Sequence, residues 1–182
     1  MANPSTVYAA VALVVLLSTF PGLHTTHADA GFIARTCKKT KNPAQCVAVL
    51  SAYKESTKAS TKHDLASIAL QIAYDTAQHN REVIGDLTNK IQLGTPEGDA
   101  LAACLGAYSD AVADLYFDGR PGFDNGDYGG TWKLLSGTKD TGDRCEKEFK
   151  GIGKKSPVTD IDLQMTERCG VASDLVALLI PK

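Results

Sequence analysis

The sequence predicts an all-α protein built as an up-down-up-down four-helix bundle. Apolar residues recur every three or four positions along four long segments, and almost no stretch shows the alternating pattern of a β-strand. The connections between these segments are short, which favours antiparallel neighbours. A chain of 182 residues is long enough for one domain with a substantial core.

The first long helix is predicted from a stripe that runs for about 28 residues, or about 40 Å at 1.5 Å per residue. Gly94 is expected to end it, since glycine adopts the left-handed conformation after a helix cap. The stripe consists of Leu65, Ile68, Ile72, Thr76, His79, Val83, Leu87 and Ile91.

The second helix is predicted to begin at Thr95-Pro96-Glu97, which provides an N-cap, a proline in the first turn and an early acidic residue. A run of glycine, proline and asparagine over residues 119–126 is expected to end it. Its apolar stripe is Leu101, Leu105, Tyr108, Val112 and Leu115.

A third helical segment is expected from Asp127 to about Lys150, with a kink or break in the weakly helical stretch of residues 136–142. The last helix is predicted to begin near Thr159 or Asp160, after a proline. Its stripe is Ile161, Met165, Cys169, Ala172, Leu175 and Leu179. A shorter helical piece is expected over residues 33–60.

The N-terminus resembles a secretory signal. Residues 7–20 are almost continuously apolar but too short for a comfortable membrane span, and Ala28-Asp29-Ala30 matches a signal cleavage site. We therefore expect residues 1–30 to be removed and residues 31–182 to be secreted as one domain, with no membrane attachment after removal.

The five cysteines all follow this segment, and an extracellular location favours disulfides. The eight residues between Cys37 and Cys46 do not match zinc-ligand spacing, whereas Asn42-Pro43 favours a turn that would let these two cysteines pair. An antiparallel hairpin would also bring Cys104 and Cys145 together. Cys169 is then a free, buried thiol, although this reasoning leaves pairings with Cys169 open.

Composition and motifs argue against several functions. All 19 Lys and Arg residues, and all but one of the 21 acidic residues, follow residue 30, so the mature chain is nearly neutral and does not resemble a nucleic-acid-binding protein. No motif of a zinc protease, serine hydrolase or nucleotide-binding protein occurs. His79 is expected in the core or at its boundary, and His63 at the surface or in a helix cap. We predict no enzymatic activity, no cofactor and no bound metal.

The cysteines and one helix motif resemble a known family. The Cys37–Cys46 spacing, Cys104 in ALAACLGAYSDAVADL and Cys145 in DRCEKEF are similar to the plant invertase inhibitor and pectin methylesterase inhibitor family. The family's helix motif, C-x-x-x-Y-x-x-A-x-x-x-L, reads here as Cys104, Tyr108, Ala111 and Leu115. The resemblance covers nearly the whole mature chain.

This resemblance implies a helical hairpin over residues 31–62 that packs outside a bundle over residues 63–182. It implies the bridges Cys37–Cys46 and Cys104–Cys145. It also implies a non-enzymatic role, in which the protein binds and blocks a carbohydrate-active enzyme of the cell wall or vacuole.

Sequence details favour the pectin methylesterase inhibitor branch. Gly126-Asp127-Tyr128 and the fifth cysteine, in ERCGVASDLVALL, resemble that branch. Pro121-Gly122-Phe123 keeps the proline and phenylalanine of the Pro-Lys-Phe element of invertase inhibitors but lacks its lysine. An inhibitor of acid invertase is the alternative, and a helical bundle that binds a small ligand is a second one.

Acidic residues are the predicted partner-binding residues, because a cleft that accepts pectin must accept a polyanion. The candidates are Asp110 and Asp114, which share one helix face, together with Asp127 and Glu146. Tyr128 is expected to be an apolar anchor at the same interface. Since carboxylates would make the contacts, we expect binding to depend on pH in the mildly acidic range of a plant cell wall, the apoplast.

Overall fold

The computed structural model of the protein describes residues 30–182, so the predicted secretory signal lies outside the described residues except for Ala30. Every regular element within residues 30–182 is helical. No helix in this part of the chain is long and apolar enough to cross a membrane.

An N-terminal helical hairpin precedes the bundle. It consists of α1 (Ala30–Cys37), α2 (Pro43–Ser51) and a 3-10 turn (Lys54–Lys58). The Asn42 side chain caps α2 by accepting a hydrogen bond from the Gln45 N–H, and Pro43 occupies the first turn. A disulfide between Cys37 and Cys46 closes the hairpin, so the Asn-Pro turn forms where the sequence predicted it.

Four long helical segments follow. Their elements are α3 (Lys62–Thr88), α4 (Pro96–Ala113) continued by a π-helical turn (Asp114–Gly119) and α5 (Arg120–Asp124), α6 (Tyr128–Thr138) and α7 (Thr141–Gly151), and α8 (Thr159–Ala177).

The packing of these segments is that of an up-down-up-down bundle. Helix α3 packs against α4 and α8, α7 packs against α4 and α8, and α6 packs against α8, so neighbours in the chain are neighbours in space. The pairing of Asn80 with Ile161 and of Thr76 with Arg168 shows that α3 and α8 are antiparallel, because the residue numbers run in opposite directions. The disulfide Cys104–Cys145 joins α4 to α7.

The caps explain where the bundle helices begin. Thr61 accepts a hydrogen bond from the Asp64 N–H while the Asp64 carboxylate accepts one from the Thr61 N–H, which is a complete capping box. Thr95 caps α4 as predicted, with Pro96 in the first turn. The start of α8 at Thr159 is also confirmed.

The first long helix differs from the prediction in two ways. It ends at Thr88, and Gly94, with φ of +82°, lies in the turn that leads to α4. His79, expected in the core or at its boundary, is exposed, and its neighbour Asn80 is buried instead. The buried face is broader than the predicted stripe and includes small residues that a count of large apolar side chains misses, namely Ala66, Ala69, Ala73 and Ala77.

The second long segment ends within the predicted run of residues 119–126, although Gly119 and Pro121 of that run are still helical. It continues through the π-helical turn and α5 to Asp124, and Gly126, with φ of +79°, follows its end. Pro121 is compatible with this continuation because it lies in the first turn of α5, where a missing N–H costs little. The predicted break in the third segment is confirmed at Lys139 and Asp140, between α6 and α7.

Candidate functional site

Four of the five predicted partner-binding residues lie toward one end of the bundle. Asp110 and Asp114 are exposed on successive turns, where α4 passes into the π-helical turn. Asp127 is exposed and caps α6 through a hydrogen bond from the Gly130 N–H to its carboxylate. Tyr128, half-buried, is the first residue of α6. The π-helical turn packs against α6, which brings the two acidic regions to neighbouring helices.

A small aromatic cluster fixes Tyr128. Its ring meets the Phe123 ring edge to face, with centroids 5.5 Å apart, and the His63 ring at 6.1 Å. His63 also packs on Phe123, with centroids 4.7 Å apart. Phe123 is fully buried, whereas His63, at the start of α3, is exposed as predicted. Within this cluster His63 and part of Tyr128 are therefore accessible from solvent, whereas Phe123 is not.

Glu146 does not join the other four candidates. It lies on α7 with its carboxyl group in hydrogen-bonding reach of Asp162, and its Oε1 atom is buried without a hydrogen-bond partner. Glu146 is therefore half-buried and separate from the other candidates, and its role as a contact residue stays a prediction. An acidic residue in a strongly charged helix is expected to be solvated. The partial burial of Glu146 arises from the packing of α7 against α8, which the sequence pattern does not show.

A polar cluster lies at the centre of the bundle. The Tyr108 hydroxyl donates a 2.7 Å hydrogen bond to Oδ1 of Asp162, which is only 2% exposed. The Asn80 side chain donates to the Ile161 carbonyl at 2.8 Å and to the Tyr108 hydroxyl at 3.4 Å. The tyrosine of the family helix motif thus ties α4 to α3 and α8 through a buried network.

This cluster contains two carboxyl groups and no cation among its hydrogen-bonded members. The pKa of Asp162 is raised to about 7, mainly by burial; the hydrogen bond from Tyr108 opposes the rise, and the nearby Glu146 and Asp143 contribute to it. Burial also raises the pKa of the Tyr108 hydroxyl, and Asp162 adds to that effect. Asp162 Oδ2 and Glu146 Oε1 are both buried without a hydrogen-bond partner, so a proton retained on Asp162 would supply a donor next to these acceptor oxygens.

The fifth cysteine is a buried free thiol. Cys169 is fully buried on α8, and burial raises its pKa to about 12. A thiol of this kind is a poor nucleophile near neutral pH. Among residues 30–182, no group of His, Cys, Asp and Glu side chains is arranged to hold a metal ion.

The hairpin is attached to the bundle by polar contacts. The Lys41 N–H donates to the Asp174 carboxylate on α8 at 2.7 Å, and the Lys41 ammonium lies 3.8 Å from the same group. The Tyr53 hydroxyl donates to Asp75 on α3 at 2.6 Å. A groove of about 410 Å³ lies between hairpin and bundle. Three other concavities lie mostly on polar and charged side chains.

Sequence reasoning missed one exposed feature, the aromatic residues Tyr116 and Phe117 in the π-helical turn. The predicted apolar stripe of α4 ended at Leu115, and the residues between it and the expected helix end were given no role. The available signal was the order of residues: an α-helix that buries Leu115 cannot bury both residues that follow it.

Comparisons with known proteins agree on one family. The sequence model described as "Plant invertase/pectin methylesterase inhibitor" matches residues 31–175. The chain is 25% identical over 177 residues to a pectinesterase inhibitor of Actinidia deliciosa, and the match covers 96% of this chain and 94% of that protein.

Solved structures show the same fold. A mutant form of a pectin methylesterase inhibitor from Arabidopsis superimposes with a TM-score of 0.68 at 20% identity, covering 82% of this chain and 98% of the other. A pectin methylesterase inhibitor from Arabidopsis thaliana gives a TM-score of 0.61 at 19% identity, covering 85% and 99%.

Proposed function

The chain belongs to the plant invertase/pectin methylesterase inhibitor family, and from this membership we propose that it is a secreted inhibitor of plant cell-wall pectin methylesterase that binds over the enzyme's substrate cleft. The family is one of inhibitor proteins, which supports a non-enzymatic role. The likeness to a pectinesterase inhibitor along almost the full length of both chains supports the choice of target. The proposed site of action is the apoplast, with the vacuole as the alternative compartment.

The exposure of the side chains at the junction between α5 and α6 favours pectin methylesterase over acid invertase as the target. One of the two places that resemble the invertase inhibitors' Pro-Lys-Phe element is Pro121-Gly122-Phe123, and its Phe123 is fully buried beneath His63 and Tyr128. In contrast, Asp127 is exposed and Tyr128 is half-buried at the same junction. The residues accessible to a partner at this junction are therefore Asp127 and Tyr128, the pair that resembles the pectin methylesterase inhibitor branch.

The proposed mechanism is occlusion by a surface that resembles the substrate in charge. Pectin presents carboxyl groups to the esterase, so the cleft that binds it has polar and basic surroundings. The exposed carboxylates of Asp110, Asp114 and Asp127 would pair with such groups, and Tyr128 would supply an apolar contact. Glu146 lies apart from these residues, beside Asp162.

The test is a titration of two enzymes with the mature protein, residues 31–182. We expect stoichiometric loss of pectin methylesterase activity at micromolar inhibitor or below, and no loss of acid invertase activity. Inhibition of invertase alone would replace the esterase by the alternative target. Full activity of both enzymes would contradict inhibition altogether and would favour the small-ligand alternative, for which the groove between hairpin and bundle is the site to examine.

A further inference from the structure

The π-helical turn Asp114–Gly119 changes which residues reach the surface. The Arg120 N–H donates to the Leu115 carbonyl, the five-residue step of a π-helix. Leu115, Gly119 and Phe123, spaced four apart, are all buried. An α-helical step of 3.6 residues would rotate residue 118 toward the core. The wider turn instead leaves Tyr116, Phe117 and Asp118 exposed in succession.

The two aromatic side chains on this turn are unusually open to solvent. Tyr116 is 56% exposed and Phe117 is 69% exposed. Their rings meet edge to face with centroids 4.9 Å apart, and Tyr116 also meets the Tyr74 ring of α3 at 5.8 Å. These contacts hold Tyr116 in one orientation, so little conformational entropy remains to be lost when a partner covers it. A shallow groove of about 180 Å³ runs beside Tyr74 and Tyr116.

The aromatic pair lies beside a row of exposed acids. Asp110, Asp114 and Asp118 are four residues apart and exposed, so they follow successive turns along one side of the segment. Arg120, a cation on the same segment, is already engaged by Asp124 at 3.0 Å and by Ser67 at 3.1 Å. An apolar centre with a negative border is complementary to an apolar site with a positive border.

We propose that Tyr116 and Phe117 are the anchor residues of the inhibitory surface and that they enter the pectin-binding cleft of the esterase. This inference rests on the proposed function and adds to it the residues that supply most of the affinity. In the cleft, the flat rings occupy the space of sugar rings, and the row Asp110–Asp114–Asp118 takes the place of the polymer's carboxyl groups. Aromatic residues in a desolvated centre commonly dominate such interfaces, while the charged border sets orientation and association rate.

The test compares the double variant Tyr116→Ala/Phe117→Ala with a matched control, Leu93→Ala/Leu163→Ala. The control residues are 65% and 58% exposed, so both variants remove two large exposed apolar side chains. Leu93 lies in the turn before α4 and Leu163 on α8, away from the π-helical turn. Thermal unfolding should be nearly unchanged in both. We expect the aromatic variant to raise the inhibition constant for pectin methylesterase by about 100-fold and the control by less than about 3-fold.

A second variant tests the acid row. Asp110→Asn/Asp114→Asn/Asp118→Asn should slow association with the esterase and reduce the dependence of that rate on salt, while dissociation changes less. The aromatic variant should show the opposite division, with faster dissociation and an unchanged salt dependence.

The outcomes separate this inference from the proposed function. If the wild-type protein inhibits the esterase and the aromatic variant inhibits it equally well, the inference is wrong and the proposed function stands. If the wild-type protein leaves the esterase active, both the inference and the proposed function are wrong. If sedimentation shows a wild-type dimer that Tyr116→Ala/Phe117→Ala dissociates while esterase inhibition is retained, the aromatic pair binds a second copy and the inference is overturned.

Discussion

At the scale of single residues, the buried polar cluster of Tyr108, Asp162, Asn80 and Glu146 shows what the sequence could and could not predict. The sequence predicted Tyr108 in the core from its place in the stripe and from the family motif, and the structure confirms its burial. The sequence did not predict its partners, because Asp162 and Glu146 are acids in polar helices and an acid's burial depends on contacts between distant segments. For the same reason His79 was included in the apolar stripe of α3, whereas the structure exposes it and buries the neighbouring Asn80.

The first prediction concerns the pH dependence of stability. Asp162 has a pKa of about 7 in the folded protein and near 3.9 when unfolded, so the native state holds the extra proton between these values. The stabilisation is complete below about pH 4 and is lost as the pH rises through 7. The unfolding free energy should therefore fall by up to about 4 kcal/mol across this range, as measured by urea denaturation at several pH values.

Asp162→Asn tests the cause of this slope. Asparagine still accepts the hydrogen bond from Tyr108, and its amide donates to Glu146 as the protonated acid would. We expect the variant to match the wild type at pH 4, to be more stable at pH 8 and to lose most of the slope. Asp160→Asn, an exposed acid in the same first turn of α8, is the control and should keep the slope. A wild-type stability that is flat from pH 4 to 8 would contradict the assignment.

At the scale of elements, helix beginnings were more predictable than helix ends. Thr95-Pro96-Glu97 and the start near Thr159 are local signals, and local chemistry caps a helix wherever it packs. The continuation of the second segment to Asp124 is a tertiary effect. Gly122 allows α5 to lie close to Thr131 of α6, since a Cβ there would be 3.1 Å from the Thr131 hydroxyl, and this packing outweighs the weak helix propensity of the glycines.

The second prediction tests the close approach of α7 and α8. A Cβ on Gly142 would lie 2.6 Å from the backbone carbonyl oxygen of Asp162, so Gly142→Ala should push the two helices apart and cost about 1–3 kcal/mol. Gly137→Ala is the matched control in the same segment. A Cβ at residue 137 meets nothing within 4 Å, and the change should stabilise α6 by up to about 1 kcal/mol. Chemical denaturation of both variants measures the difference, and a neutral Gly142→Ala would contradict the packing.

At the scale of the whole molecule, the bundle followed from periodicity, and the two disulfides agree with the pairings that the family resemblance implied. Reasoning from spacing alone left Cys169 open as a partner, because the position of a thiol relative to another depends on the assembled fold. Its burial on α8 resolves this. The proposed inhibitory surface was less predictable, since the exposure of Asp118 beside Tyr116 and Phe117 depends on the wider π-helical turn.

The third prediction concerns the bridge between α4 and α7. Cys104 and Cys145 are 41 residues apart, and closing a loop of this size stabilises the folded state by roughly 4 kcal/mol on the chain-entropy model. Cys104→Ala/Cys145→Ala should lower the unfolding free energy by about that amount, with the Cys37–Cys46 bridge left in place. The unfolded, unreduced wild-type protein should contain one free thiol, assigned to Cys169 by peptide mapping. A peptide that links Cys169 to another cysteine would contradict this connectivity.

The fourth prediction is that folding and binding respond to pH in opposite directions. Acidification stabilises the bundle through Asp162, whereas a surface that binds the esterase through exposed carboxylates should bind it less tightly as the pH falls from 7 toward 4. The dissociation constant of Asp162→Asn, measured by calorimetry across this range, isolates binding from stability. Because the esterase titrates too, the same series with Asp110→Asn and Asp114→Asn added shows what the inhibitor's own acids contribute. Parallel pH dependences in the two series would mean that these carboxylates do not bind the enzyme.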